Sequence, residues 1–297
     1  MQLVARRTLR DETGFFFRAL TTFLALYFLT FFIRMPYLPY LLLMLYSTAD
    51  VQSSSTILLS HHQPDSLAYL MSDKTDVINF DPVVFEDSLH QMYNSIGLEG
   101  YALSYDVFRY GMIGFYNLRG QGKLNSKNLL TIIDFTKPST EKRFYTIDLD
   151  QQLLKFYTYV SHGKNTGENL AKSFSNTVHS NQSSLGFYVT AETYTGSKGY
   201  SLKLDGFEKG YNDNLRERAV VMHDADYVSE FWIKKNGRLG RSQGCPALPK
   251  EIAKEVIETI KNNTVIFAYY NDMDYLKTSY YLNTDNLVHE SQISAKL

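Results

Sequence analysis

The chain has 297 residues, 44% of them hydrophobic, which is enough for a substantial core and excludes disorder as its overall state. Thirty basic against 31 acidic residues leave a formal charge of -1, so the bulk composition gives no reason to expect nucleic acid as a partner. Tyrosine (23) and phenylalanine (19) are abundant, a composition compatible with a carbohydrate or peptide binder because a tyrosine ring can be buried while its hydroxyl meets a polar ligand.

At the N-terminus, Arg6, Arg7, Arg10 and Arg18 precede the uncharged run ALTTFLALYFLTFFI, Ala19 to Ile33. A basic region followed by an apolar one is the pattern of an export signal. Arg34 and Pro36 interrupt the run before LPYLLLMLYSTA, Leu38 to Ala49, continues it; together the two halves are long enough to cross a bilayer. Residues 1–49 are therefore expected to be a signal peptide or N-terminal membrane anchor, with a buried helical hairpin as the alternative. Either of the first two places the body of the protein in the periplasm or cell envelope.

Asp50 to Thr75, rich in Ser, His, Gln and Asp, reads as a linker. After Pro82 the segment Val83 to Ile96 has apolar residues at helical spacing, and Ala102 to Leu118 forms a second helical candidate that Gly111 and Gly114 weaken. Residues 50–128 are thus expected to be a linker and an N-terminal helical subregion.

Beyond Asn128 the period changes. LLTIIDF (Leu129 to Phe135), RFYTIDL (Arg143 to Leu149), LLKFYTYV (Leu153 to Val160), SLGFYVT (Ser184 to Thr190), GYSLKL (Gly199 to Leu204) and RAVVMH (Arg218 to His223) are short, β-branched and aromatic. They predict a mainly antiparallel β body. Pro249 opens the amphipathic run KEIAKEVIETIKNN, which leads into a last apolar strand, Thr264 to Tyr270.

The single cysteine, Cys245, lies in GRLGRSQGCPALP, Gly237 to Pro249, a few residues ahead of that helix. One cysteine cannot form an internal disulfide, and in an exported chain an odd thiol is reactive or intermolecular unless it is buried and inert. His223 ends an apolar strand, where a scaffold delivers a polar side chain into a cleft. An imidazole close to a thiol can take its proton, and the loop Asp224 to Gly244 is long enough to bring the two together. Gly244 permits tight backbone approach, so the Gly244 and Cys245 amides are candidates for an oxyanion site. The imidazole needs a third group to orient it: Asp224, Asp226 or a backbone carbonyl. One cysteine and dispersed histidines give no zinc spacing, and no dinucleotide or phosphate-loop motif is present.

His223 followed by Gly240-Arg241-Ser242-Gln243-Gly244-Cys245-Pro246-Ala247-Leu248 resembles the signature of the L,D-transpeptidase catalytic-domain family, a histidine, a spacer and then Ser/Thr-His-Gly-Cys. The strand pair Arg143 to Val160, Ser161-His162-Gly163, Ser173 to Asn176 and Ser183 to Gly186 resemble the murein branch of that family, over roughly Leu129 to Tyr270. The departures are Gln243 in place of a second histidine, Ala247 in place of an arginine or asparagine, and 18 residues between His223 and Ser242.

The resemblance implies a β-sandwich or barrel of mixed strands with a few short helices and an N-terminal helical region. Its catalytic domain would span 129–275, with 276–297 as a C-terminal tail. It implies Cys245 as nucleophile, His223 as base and Gly244 in the oxyanion loop. Arg241, Ser242, Tyr227, Ser229 and His162 are substrate-binding candidates, Arg241 for a substrate carboxylate. Peptidoglycan stem peptides would be the partners, with neither cofactor nor metal, and the product an L,D crosslink formed through a Cys245 thioester. Trimming of stem peptides by an L,D-carboxypeptidase and non-catalytic wall binding are the alternatives. A papain-like enzyme would place its cysteine ahead of its histidine, and here the order is reversed.

Overall fold

The computed structural model describes residues 81–287. The expected signal or anchor at 1–49, the linker Asp50 to Thr75 and the last ten residues lie outside this range. Among the described residues no helix is long and apolar enough to cross a membrane.

Two helices come first. In α1, Pro82–Ile96, the Asp81 side chain accepts from the Val83 and Val84 amides, proline takes the first turn, and Gly97 ends the helix at φ 71. Phe85, Leu89, Met92 and Tyr93 form its buried stripe. A 3-10 turn, Leu98–Tyr101, joins it to α2, Tyr105–Gly120, capped by the Ser104 side chain. The two glycines that weaken the sequence pattern of α2 are the points where it meets the sheet. A Cβ on Gly111 would lie 3.1 Å from Ile132 Cδ1, and one on Gly114 would lie 2.0 Å from Phe187 Cζ.

Eight strands follow: β1 Leu129–Asp134, β2 Phe144–Asp148, β3 Leu153–Thr158, β4 Gly186–Gly196, β5 Gly199–Gly206, β6 Val221–Asp224, β7 Ala247–Leu248 and β8 Val265–Tyr269. They form one continuous sheet in the order β3-β2-β1-β8-β4-β5-β6-β7. Strand β1 is parallel to β8 and β6 is parallel to β7, while the other neighbours run antiparallel. The expected body of mixed strands with short helices and a helical N-terminal region is what the chain adopts.

Alternation along the central strands supplies two cores. Leu130, Ile132, Phe187, Val189, Val265 and Phe267 face α1 and α2. Ile133, Tyr188, Leu202, Leu204, Met222, Ile266 and Ala268 face α4, Lys250–Ile260, whose stripe is Ala253, Val256, Ile257 and Ile260. Two further helices are α3, Glu230–Asn236, and α5, Met273–Thr278.

Residues assigned from sequence to the C-terminal tail are part of the first core. Tyr281, Leu282 and Leu287 are buried in it, and Ser279 donates to the buried Glu208 carboxylate. Glu208 also accepts from the Phe187 amide, the Tyr275 hydroxyl and the Asn212 side chain, so it joins the sheet, the 207–220 loop and α5.

Candidate active site

The site lies at the β7 edge of the sheet. The parallel register sets His223 opposite Ala247 and Asp224 opposite Leu248. Cys245 lies two positions before Ala247, in the stretch that leads into β7. The Val221 amide donates to Cys245 Sγ at 3.4 Å, which continues the same alignment.

Sequence reasoning left three groups open for orienting the imidazole. The backbone carbonyl of Asp224 takes that position, 2.7 Å from His223 Nδ1. A carbonyl can only accept, so Nδ1 carries the hydrogen and Nε2 keeps its lone pair. The carboxylate of Asp226 instead pairs with Lys250 at 3.1 Å. Burial lowers the His223 pKa, with the Asp224 carbonyl opposing and Lys198 adding to the fall. Burial raises that of the Cys245 thiol, while the Val221 amide, Lys198 and Arg218 oppose the rise. Both shifts favour the neutral forms of the thiol and the imidazole.

The thiol loop holds itself in shape. Ser242 Oγ donates to the Cys245 carbonyl at 2.7 Å and accepts from the Gly244 amide at 3.0 Å. Ser242 is therefore a brace for the turn and not a group free for substrate, and the Gly244 amide is already committed. The Cys245 amide lies beside its own sulfur, where it favours the anion. Gly244 has φ 122, and a Cβ there would fall 2.7 Å from the Gln182 carbonyl, so only glycine fits. The Ser183 hydroxyl donates to the Gly244 carbonyl at 3.3 Å, and the Arg218 guanidinium donates to Gln182 O, Ser175 O, Ser180 Oγ and Ser184 Oγ beneath it. Both are remote from the cysteine in sequence: Ser183 opens a stretch that resembles the family, and no local pattern marks Arg218.

Four substrate-binding expectations meet a different structure. His162 is 1% exposed; Arg143 donates to its Nδ1 at 2.8 Å, and its Nε2 faces the Gly167 and Glu168 carbonyls. Burial first, then the Arg143 charge, pushes its pKa down to about 3, so it is a neutral scaffold residue away from any cleft. It stabilises the segment whose His162 carbonyl accepts from the Ser242 amide at 3.0 Å and whose Ser161 amide donates to the Ala247 carbonyl at 2.9 Å. Arg241 is held by Glu168 at 2.7 Å and by the Lys164 and Gly167 carbonyls, so its guanidinium is engaged within the protein. It borders an open cavity of about 430 Å³, together with Lys164, Glu168, Leu170 and Lys172, that neither Cys245 nor His223 lines. Ser229 caps α3, its hydroxyl accepting from the Trp232 amide at 3.2 Å.

Tyr227 comes nearer to expectation: burial first, then the Cys245 thiol, pushes its pKa up to about 12. Its ring base packs on Gly240. Ala247, one of the two sequence departures, is fully buried against Ala225, Val228 and Leu239, so a small side chain is a packing requirement there. Gln243 is exposed. Among the described residues no cluster of histidine, cysteine, aspartate and glutamate could hold a metal ion.

An imidazole oriented at the end of β6 and a thiol just ahead of β7 lie at one edge of a mixed sheet. The chain belongs to the L,D-transpeptidase catalytic-domain family, whose model matches residues 99–269 and so includes most of α1–α2 connection, α2 and the whole sheet. No curated protein sequence matches it. Solved structures similar to it include the L,D-transpeptidase from Mycobacterium smegmatis (11% identity, 48% of this chain and 59% of that one, TM-score 0.31). Others are the helical cell shape determining protein Pgp2 from Campylobacter jejuni (11%, 55% and 57%, 0.31) and the L,D-transpeptidase from Xylanimonas cellulosilytica (13%, 49% and 62%, 0.29). The chain spans about three fifths of the length of these solved relatives.

Proposed function

We propose that the protein is an exported cysteine acyltransferase that acts on peptidoglycan stem peptides. The observation that supports this reading is the hydrogen bond from the Val221 amide to Cys245 Sγ at 3.4 Å, on the strand that carries His223, an imidazole whose Nδ1 is fixed and whose Nε2 is left to accept a proton. Cys245 Sγ attacks the carbonyl that links the donor residue to a terminal D-alanine, and the thiol proton passes to His223 Nε2. The carbon–nitrogen bond breaks, His223 returns the proton to the departing amine, and a thioester remains. An amine from a neighbouring stem then attacks, gives its proton through His223 to the released thiolate, and forms an L,D crosslink; water in its place trims the peptide. Of the two amides expected to hold the oxyanion, Cys245 supplies the donor in this reading, because that of Gly244 serves Ser242.

The domain division belongs to the same reading: a signal or anchor at 1–49, a linker and helical subregion at 50–128, and the catalytic domain from 129. Placement in the periplasm or cell envelope rests on the basic-then-apolar pattern of the first 49 residues.

The test is intact-mass measurement of the protein incubated with a stem tetrapeptide ending in D-alanine, alongside C245S and H223A. The expected result is an acyl adduct and free D-alanine from the parent protein, neither from C245S, and a rate lower by about 10² or more in H223A. Folded, reduced protein that gives neither adduct nor product would favour the non-catalytic wall-binding alternative.

A further inference from the structure

We propose that Lys198 determines donor specificity by receiving the carboxylate at the end of the donor peptide, an inference that rests on the acyl-transfer reading above. Lys198 belongs to the two-residue turn, Ser197-Lys198, that closes the β4–β5 hairpin at the Gly196–Gly199 pair. Strand β5 carries that turn to the site, since Ser201 is in register with His223, and Gly199 lies two residues nearer the end of β6. A Cβ built on Gly199 would be 3.7 Å from Asp224 Oδ1, beside the residue whose carbonyl holds the imidazole.

The ammonium is exposed and acts on both reacting groups: it favours the Cys245 anion and disfavours the His223 cation. Lys203 pairs with Glu192, Lys250 with Asp226 and Arg241 with Glu168, while Arg218, the other cation that acts on the thiol, is engaged by two carbonyls and two serine hydroxyls. Lys198 makes neither an ion pair nor a hydrogen bond among the described residues. A cleavable peptide bond placed between Cys245 and His223 carries its C-terminal carboxylate one residue further on, and Lys198 is the cation at that end of the site. Sequence reasoning gave this task to Arg241, whose guanidinium Glu168 and two carbonyls already occupy.

The experiment compares two tetrapeptides, one ending in D-alanine and one in D-alaninamide, on the full chain and on K198A and K198R. A contact made equally in the bound and transition states appears in KM. K198A is expected to raise KM for the acid about tenfold, to the level of the amide, with kcat little changed, and K198R to restore most of the difference. Retention of the acid preference in K198A, or an equal fall in kcat on both peptides, would overturn the proposal and leave Lys198 as a tuner of the thiol.

Protection of Cys245 from iodoacetamide by N-acetyl-D-alanine, against N-acetyl-D-alaninamide, gives a readout without turnover. If the parent protein turns over neither peptide, the acyl-transfer reading falls and protection decides the inference alone. Protection by the acid only, lost in K198A, supports it; equal protection by both compounds, or none, sinks it.

Discussion

At the scale of single residues, Cys245 and His223 stand out as candidates because a strand-end histidine and a Gly-Cys turn are local signals. The supporting roles do not, because residue type does not say which neighbours already occupy a side chain. His162 shows the difference: it looked like a cleft residue, and the buried Arg143 guanidinium and two carbonyls make it part of the frame. With a folded pKa of about 3 against about 6.5 when unfolded, it binds its proton more readily in the unfolded chain. Its contribution to stability is therefore complete above the unfolded value and is lost as pH falls from about 6.5 toward 3. The ceiling is roughly 5 kcal/mol. Urea midpoints taken across that window should fall more steeply for the parent protein than for H162Q; parallel curves would show that His162 is not the titrating group.

At the scale of elements, the longer strands and α4 followed from β-branched alternation and from a helical stripe. Strand β7 did not, since two residues, Ala247 and Leu248, carry no period. The parallel pairing of β1 with β8 was equally hidden, because partners more than a hundred residues apart leave no mark on either segment. Helix α2 was legible but its glycines were misleading: they weaken propensity and at the same time let the helix approach the sheet. Gly114→Ala would press a methyl group into the Phe187 ring, which itself stacks on Phe267 at 4.3 Å. A loss of about 3 kcal/mol is expected by urea unfolding. Gly100→Ala, where a Cβ meets nothing within 4 Å, should change little, and equal effects at the two positions would remove the packing explanation.

At the scale of the molecule, sequence reading ended the catalytic domain at 275 and took 276–297 as a tail. The fold continues, and Ser279, Tyr281, Leu282 and Leu287 complete the core that Glu208 organises. Truncation after Tyr275 is expected to cost on the order of 5 kcal/mol, from lost apolar burial and an unmet carboxylate; a truncated chain with the parent's urea midpoint would contradict this. The β6–β7 pair has a different consequence at this scale. His223 lies on β6 and Cys245 just ahead of β7, so the acyl-transfer centre proposed above would exist only once this outermost edge of the sheet has closed. Before closure Cys245 is an ordinary thiol, with no imidazole held against it. The proton equilibrium of that one sulfur would thus mark the end of folding, and under the proposed function a chain still being assembled would be silent toward stem peptides.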